Sequence, residues 1–329
     1  MRNEDRKTTR WEELYRTAAQ PSGDTYAVIL AGEDAPPDGR RVPAIHRGQR
    51  PLQYLRTGGN DFVLRETFEH VSKWFPPENI FFVVTESHLS FFEDVLADVP
   101  RTNLFIQPQD DGSAFAIQYA AMRISMKNPF APVAFFPSDL NVPNIRSFME
   151  SVQSALDFAR RQLRLVLLGF QPDANTKRGE VIEPELNASL DSRLGIMHVR
   201  RVSANAGQIH ASSLIEQGSL VNSPVIVGTA AAFLRSIRDA APQEYNKLIS
   251  AGTKIGTRDE EQAVRTAYYS NYEYTDFHRD ILPKISEGLA VLPVPVSLTA
   301  GARRNLPSLL APPAMIAAPR FAVAGTGWQ

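Results

Sequence analysis

The stretch Val133–Asp139, VAFFPSD, carries an apolar run through a proline turn and ends on a carboxylate. A carboxylate at the mouth of a buried strand can hold Mg²⁺, which takes one or two protein carboxylates and leaves its other positions to water and phosphate. Asp139 is therefore a candidate metal ligand and catalytic residue; capping the next turn is the other use of an aspartate there. A second stretch, Tyr26–Arg41, reads YAVILAGEDAPPDGRR. Its apolar run ends at Ala31-Gly32, where a phosphate-cradling loop would continue with glycines whose N–H groups close on an anion. Glu33, Asp34 and the Pro36-Pro37 pair follow instead. Proline has no N–H to donate, and acids repel phosphate. Arg40, Arg41, Arg47 and Arg50 lie in the same loop, with His46. They suit bidentate phosphate pairing, or else form a solvated basic loop. The six histidines show no metal-ligand spacing, and most read as surface or capping residues. The sequence contains neither a nucleophile elbow nor a Walker motif.

A sheet must bring these turns together. Strands are expected at Tyr26–Leu30, Asn79–Thr85, Leu104–Gln107, Val133–Phe136 and Leu163–Phe170, as continuous apolar runs covered on both faces. Helices are expected between them, over Phe62–Trp74, Leu89–Ala97, Ser113–Met126 and Ile145–Arg161, with Ser113 as an N-cap. The alternation predicts an α/β fold, a mostly parallel, doubly wound sheet with helices on both faces. Ligands then sit outside the carboxyl ends of the strands. Beyond Phe170, RGEVIEPE and GIMHVRRVS read as strands, Ile209–Gln217 and Ala230–Ile249 as helices, and residues 289–297 as a late strand. Residues 1–24 form a polar lead-in with one helix at Trp11–Ala19. Residues 25–300 form the main domain, and residues 301–329 an Ala/Pro/Gly-rich tail.

Composition narrows the partners. A net charge of −1 and a pI near 6.6 give no global basic field for nucleic acid or an anionic membrane. The absence of cysteine removes disulfides and thiolate metal sites and fits a cytoplasmic protein. No apolar run approaches the roughly 20 residues that span a bilayer, and the N-terminus lacks an apolar signal core.

In motif order the chain resembles the mannose-1-phosphate guanylyltransferases and the wider sugar-phosphate nucleotidyltransferases, over about Tyr26 to Pro295. LAGEDAPPDGRR and RPLQYL stand where that family has L-A-G-G-x-G-T-R-L and R-P-K-Q-F. QPQDDGSAFAI, PSDL, RGEVIEPE, VNS and YTDFHRDIL follow in family order. The resemblance implies a GT-A-like Rossmann fold. It implies attack of a sugar 1-phosphate on a nucleoside triphosphate, with release of pyrophosphate. It assigns Leu30, Ala31, Gly32, Gln107 and Ser113 to the nucleotide, Gly179, Glu183 and Asn222 to the sugar, and Asp139 and Arg50 to catalysis, with Mg²⁺ on Asp139.

The departures gather at the phosphate end. The family's loop glycines fall at Glu33 and Ala35, its loop arginine at Pro37, and the lysine of R-P-K-Q-F at Leu52. A lysine of a further motif falls near Ala204-Asn205-Ala206, and a second metal aspartate near Gly301. Removing a single stabilising donor from such a site typically costs about 10²–10³ in rate. The expectation is a family member with weak or no transfer activity that takes a nucleotide sugar or sugar 1-phosphate. Two alternatives stay open. One is a non-catalytic regulatory subunit that binds an active paralogue or a second copy of itself. The other is a GT-A glycosyltransferase.

Overall fold

In the computed structural model the described residues are 24–32, 50–56, 61–110, 112–142, 144–172, 180–203, 211–270 and 274–297. The lead-in helix, the loop from Glu33 to Gln49, Gly179, the Ala204–Ala206 stretch, Gly301 and the C-terminal tail lie outside them.

The strands are β1 Tyr26–Leu30, β2 Ile80–Thr85, β3 Leu104–Gln107, β4 Pro132–Pro137, β5 Leu165–Gln171, β6 Val181–Asp191, β7 Ile196–Ser203, β8 Leu220–Thr229 and β9 Leu289–Ser297. The helices are α1 Val63–Val71, α2 Leu89–Val95, α3 Ser113–Ser125, α4 Ile145–Arg161, α5 Ala211–Glu216, α6 Ala230–Ala240, α7 Pro242–Ile249 and α8 Glu260–Ser270. Among the described residues the strands form one sheet in the order β3-β2-β1-β4-β8-β5-β9-β7-β6. Most strands run the same way; β7 and β8 run against them. A further pairing of β6 with β8 closes the last five strands into a ring.

The period-two rule explains the layers. On β1, Tyr26 and Val28 face one core, and Ala27 and Ile29 the other. On β4, Val133 and Phe135 are divided from Ala134 and Phe136 in the same way. Helices α3, α6, α7 and α8 cover the first face; α1, α2 and α4 cover the second. Phe135 meets Phe233 of α6 edge-on, with ring centroids 4.7 Å apart. Burying one such side chain contributes about 1.5–3 kcal/mol. The two-sided burial is why these strands read as unbroken apolar runs. Among the described residues no helix is long and apolar enough to cross a membrane.

Four expectations change. The helix expected over Ala230–Ile249 is two helices, because Pro242 disfavours helical geometry in the residue before it and Ala241 turns to φ −143°, ψ 67°. The stretch around VNS, for which no strand was expected, is strand β8, inserted antiparallel between β4 and β5. Helix α8 was not foreseen. Ser113 is the first residue inside α3 rather than its N-cap; Gly112 holds that position. The two prolines of β9, Pro293 and Pro295, are tolerated because β7 pairs with β9 only at Val291 and Ala290, before the prolines begin.

Gly112 joins α3 to the segment at Thr275. Its φ is +90°, and a Cβ there would sit 2.3 Å from the Thr275 carbonyl oxygen. The neighbouring Ala114 N–H donates to that same oxygen at 3.1 Å, so the oxygen cannot retreat without losing a bond. Gly112→Ala is expected to destabilise the fold by about 1–3 kcal/mol through backbone strain alone, read as a lower urea midpoint at unchanged slope. An unchanged midpoint would show that the junction relaxes freely.

Candidate functional site

The register pairs Leu30 with Pro137, so the turn after β1 and the turn after β4 leave the sheet side by side. Between them opens a cavity of about 210 Å³. Leu30, Leu52, Pro137 and Pro224 form its apolar walls, and Gln53, Ser113 and Ser138 its neutral polar groups. Among the described residues its ionisable groups are Asp139, Asp276 and His278, and no lysine or arginine lines it.

The first turn is held by its own carbonyl. The Ala31 N–H donates to Val83 O at 2.8 Å, extending the ladder one residue beyond the strand. The Ala31 carbonyl accepts from Gln53 Nε2 at 3.2 Å and Tyr54 Oη at 3.1 Å, with His88 Nδ1 at 3.3 Å. All three partners are buried. Gly32 leaves no room for a side chain: a Cβ would lie 2.9 Å from Gln107 Nε2 and 3.3 Å from the Thr85 backbone N. Gln107 is buried at the end of β3, and its Oε1 has no hydrogen-bond partner among the described residues.

The second turn is clamped from α1. The buried Thr67 hydroxyl donates to Ser138 O and accepts from the Leu140 N–H, both at 3.0 Å. This fixes the backbone on either side of Asp139. The Asp139 carboxylate itself makes no hydrogen bond or ion pair among the described residues and lines the cavity.

The far wall comes from α3 and the π-helical turn Phe277–Ile281. The Ser113 hydroxyl donates to Asp276 Oδ2 and accepts from the Phe277 N–H, both at 2.8 Å. Asp276 Oδ1 accepts from the Arg279 N–H at 2.8 Å, so both carboxylate oxygens are engaged. Beyond it, His278 Nδ1 lies 2.9 Å from Glu180 Oε2, and Asn222 Nδ2 donates to the same oxygen at 2.8 Å. Asn222 Oδ1 is buried and, among the described residues, hydrogen-bonded to nothing. Burial opposes ionisation of Glu180, but the hydrogen bond and charge of His278, with the Asn222 amide, outweigh it and hold the carboxyl below its usual range.

Leu30, Ser113 and Asp139 thus line one cavity, with Ala31, Gly32 and Gln107 just behind it. The other proposed residues stand apart. Arg50 points its guanidinium at Asp94 of α2, 2.6 Å away, and over the rings of Phe62 and Phe91. The Glu183 carboxylate is buried against Arg200 and Arg201 of β7 and does not line the cavity. Gly179 lies outside the described residues. The sequence reading passed over Glu180, Gln53, Asp276 and His278, and His278 and His88 are wall and buried residues rather than surface groups. The proximity of Glu180 to Gly179 and of His278 to Asp276 in the quoted motifs was the signal available for them.

Among the described residues no group of three or more His, Asp or Glu side chains could hold a metal by itself; the unengaged Asp139 carboxylate would supply a single protein ligand to a Mg²⁺ held otherwise by water and phosphate.

Because the folded-state pKa of Glu180 is lowered, its contribution to stability is complete above the unperturbed value of 4.5 and is lost as pH falls through the folded value. The stability advantage of the wild type over Glu180→Gln should therefore be larger at pH 5 than at pH 3, as read by urea unfolding at a series of pH values. A gap independent of pH would contradict the assignment.

No protein-family model matches the chain, and no curated protein matches it. Solved structures do. The crystal structure of a mannose-1-phosphate geranyltransferase from Thermus thermophilus superposes with a TM-score of 0.66 at 19% identity, covering 82% of this chain and 74% of that one. A mannose-6-phosphate isomerase from Helicobacter pylori superposes with a TM-score of 0.61 at 16% identity, covering 83% of this chain and 98% of its own. The shared architecture agrees with the motif order, and the chain has a sugar-phosphate nucleotidyltransferase-like fold.

Proposed function

We propose that this chain is a divergent sugar-phosphate nucleotidyltransferase that binds the sugar portion of a sugar 1-phosphate or nucleotide sugar and transfers nucleotidyl groups weakly or not at all. The observation that carries this is the wall of the cavity: among the described residues it has two aspartates, one histidine and no arginine or lysine. Transfer to a triphosphate relies on positioning and on cations that meet the charge as it develops. The family's lysine position is Leu52, an apolar wall residue, and Arg50 is engaged by Asp94.

The remaining groups suit hydroxyls. Asp139 accepts hydrogen bonds only, Gln53 both donates and accepts, and Ser138 does either; Asn222 is outside the lining residues and meets the wall through His278, 3.3 Å from its Nδ2. The buried acceptors Gln107 Oε1 and Asn222 Oδ1 each gain from a ligand donor, because an unmade buried hydrogen bond costs about 1–3 kcal/mol. In this reading Asp139 and Asn222 hold the sugar, and Gln107 and the Ala31-Gly32 turn hold what is attached to it.

Titration calorimetry tests the ranking with mannose 1-phosphate, GDP-mannose and GTP–Mg²⁺. The sugar-bearing ligands are expected to bind more tightly than GTP–Mg²⁺. Asn222→Ala is expected to weaken them about tenfold, the equivalent of one hydrogen bond of roughly 1.4 kcal/mol. GTP–Mg²⁺ as the tightest ligand, with Asn222→Ala neutral, would overturn the proposal.

A further inference from the structure

A second, larger cavity of about 590 Å³ opens at the start of β5 and β9, by Leu165 and Gly288. The candidate site opens at the ends of β1 and β4. Because β5 runs in the same direction as β4, the two cavities lie at opposite ends of the strands, and they share no lining residue. The volume falls within the roughly 300–1,000 Å³ typical of small-molecule sites.

Its charge is the feature that needs a reason. Arg200, Arg201, Arg235 and Lys284 line it, in a chain whose net charge is −1. Arg200 and Arg201 share the single carboxylate of Glu183, so two guanidinium groups are balanced by one anion. Arg235 and Lys284 are fixed differently. The Arg235 guanidinium donates to the Leu163 carbonyl, and Lys284 Nζ to the Ala240 carbonyl at 3.3 Å. At the same rim Arg164 donates to the Glu287 carbonyl at 3.2 Å. A carbonyl orients a cation without cancelling its charge. Among the described residues, no carboxylate lies within ion-pair distance of Arg164, Arg235 or Lys284. Two acids also line the cavity: Asp239, which is paired with Arg238, and Glu287, so the four lining cations face the carboxylates of Glu183 and Glu287 and remain in excess.

Cations held in place by neutral acceptors at the rim of one cavity are arranged for an external anion. Guanidinium groups favour phosphate, whose oxygens accept two parallel N–H bonds. We propose that this groove binds a small phosphorylated ligand bearing at least two phosphate charges, at a site separate from the sugar cavity. Arg200 and Arg201 would meet one phosphate from β7, and Arg235 with Lys284 the other.

The probe is inorganic pyrophosphate, titrated by calorimetry at low ionic strength into the full chain. Arg235 and Lys284 are exposed, so Arg235→Gln/Lys284→Gln should fold normally, checked by an unchanged melting temperature. The expected result is saturable binding that weakens at least tenfold in this double variant. Arg146→Gln, which removes a surface cation on α4 remote from the groove, should leave the affinity unchanged. The heat of mannose 1-phosphate binding should also be the same in the double variant as in the wild type, so this result stands apart from the sugar-site reading. Three results would overturn the proposal: no binding at millimolar pyrophosphate, equal affinity in the double variant, or an equal loss with Arg146→Gln.

Discussion

One electrostatic relation underlies the proposed function: among the described residues the cavity is lined by two aspartates and by no lysine or arginine, a wall that repels a triphosphate. Two unit charges 4 Å apart interact by about 1 kcal/mol in water and about 4 kcal/mol at the effective dielectric of a protein surface. Asp139 faces the cavity without a partner among the described residues, while Asp276 is met only by hydrogen bonds from Ser113 and the Arg279 backbone. A polyphosphate entering this space meets repulsion of that order for each close pair. A hexose meets acceptors that its hydroxyls can satisfy.

The scaffold is well made around this constraint. The Ala31 carbonyl is gripped by Gln53, Tyr54 and His88, the Ser138–Leu140 backbone by Thr67, and the α3 terminus by Asp276. Three separate devices fix three turns around one cavity. In the proposed reading the buried acceptors of Gln107 and Asn222 mark where a ligand's donors would go. The cations gathered at the opposite end of the strands give anion binding a place in this molecule away from Asp139.

Much of the frame was legible in the sequence. The bounds of β1, β3 and α4 match the apolar pattern residue for residue, because strands buried on both faces and an amphipathic helix carry their period in local composition. Asp139 and Leu30 were legible for the same reason: each stands where a readable strand ends. Long-range partnerships were not. That Arg50 turns to Asp94, 44 residues away, depends on how α2 packs. That Glu180, Asn222 and His278 meet depends on β8 lying antiparallel beside β5, in a stretch that reads locally as a turn. Glu183 looked like a sugar ligand by motif, yet its carboxylate is taken by β7 arginines whose approach follows from strand pairing. The loop from Glu33 to Gln49 lies outside the described residues, so its arginines are argued from composition alone.

The most direct test of the central claim is steady-state pyrophosphate release from GTP–Mg²⁺ and mannose 1-phosphate, measured beside an enzyme that retains the glycine loop and its cations. Turnover is expected to be at least about 10²-fold lower, the cost of one missing stabilising donor. Turnover equal to that of the intact enzyme would contradict the claim, and would mean that cations from the Glu33–Gln49 loop complete the site.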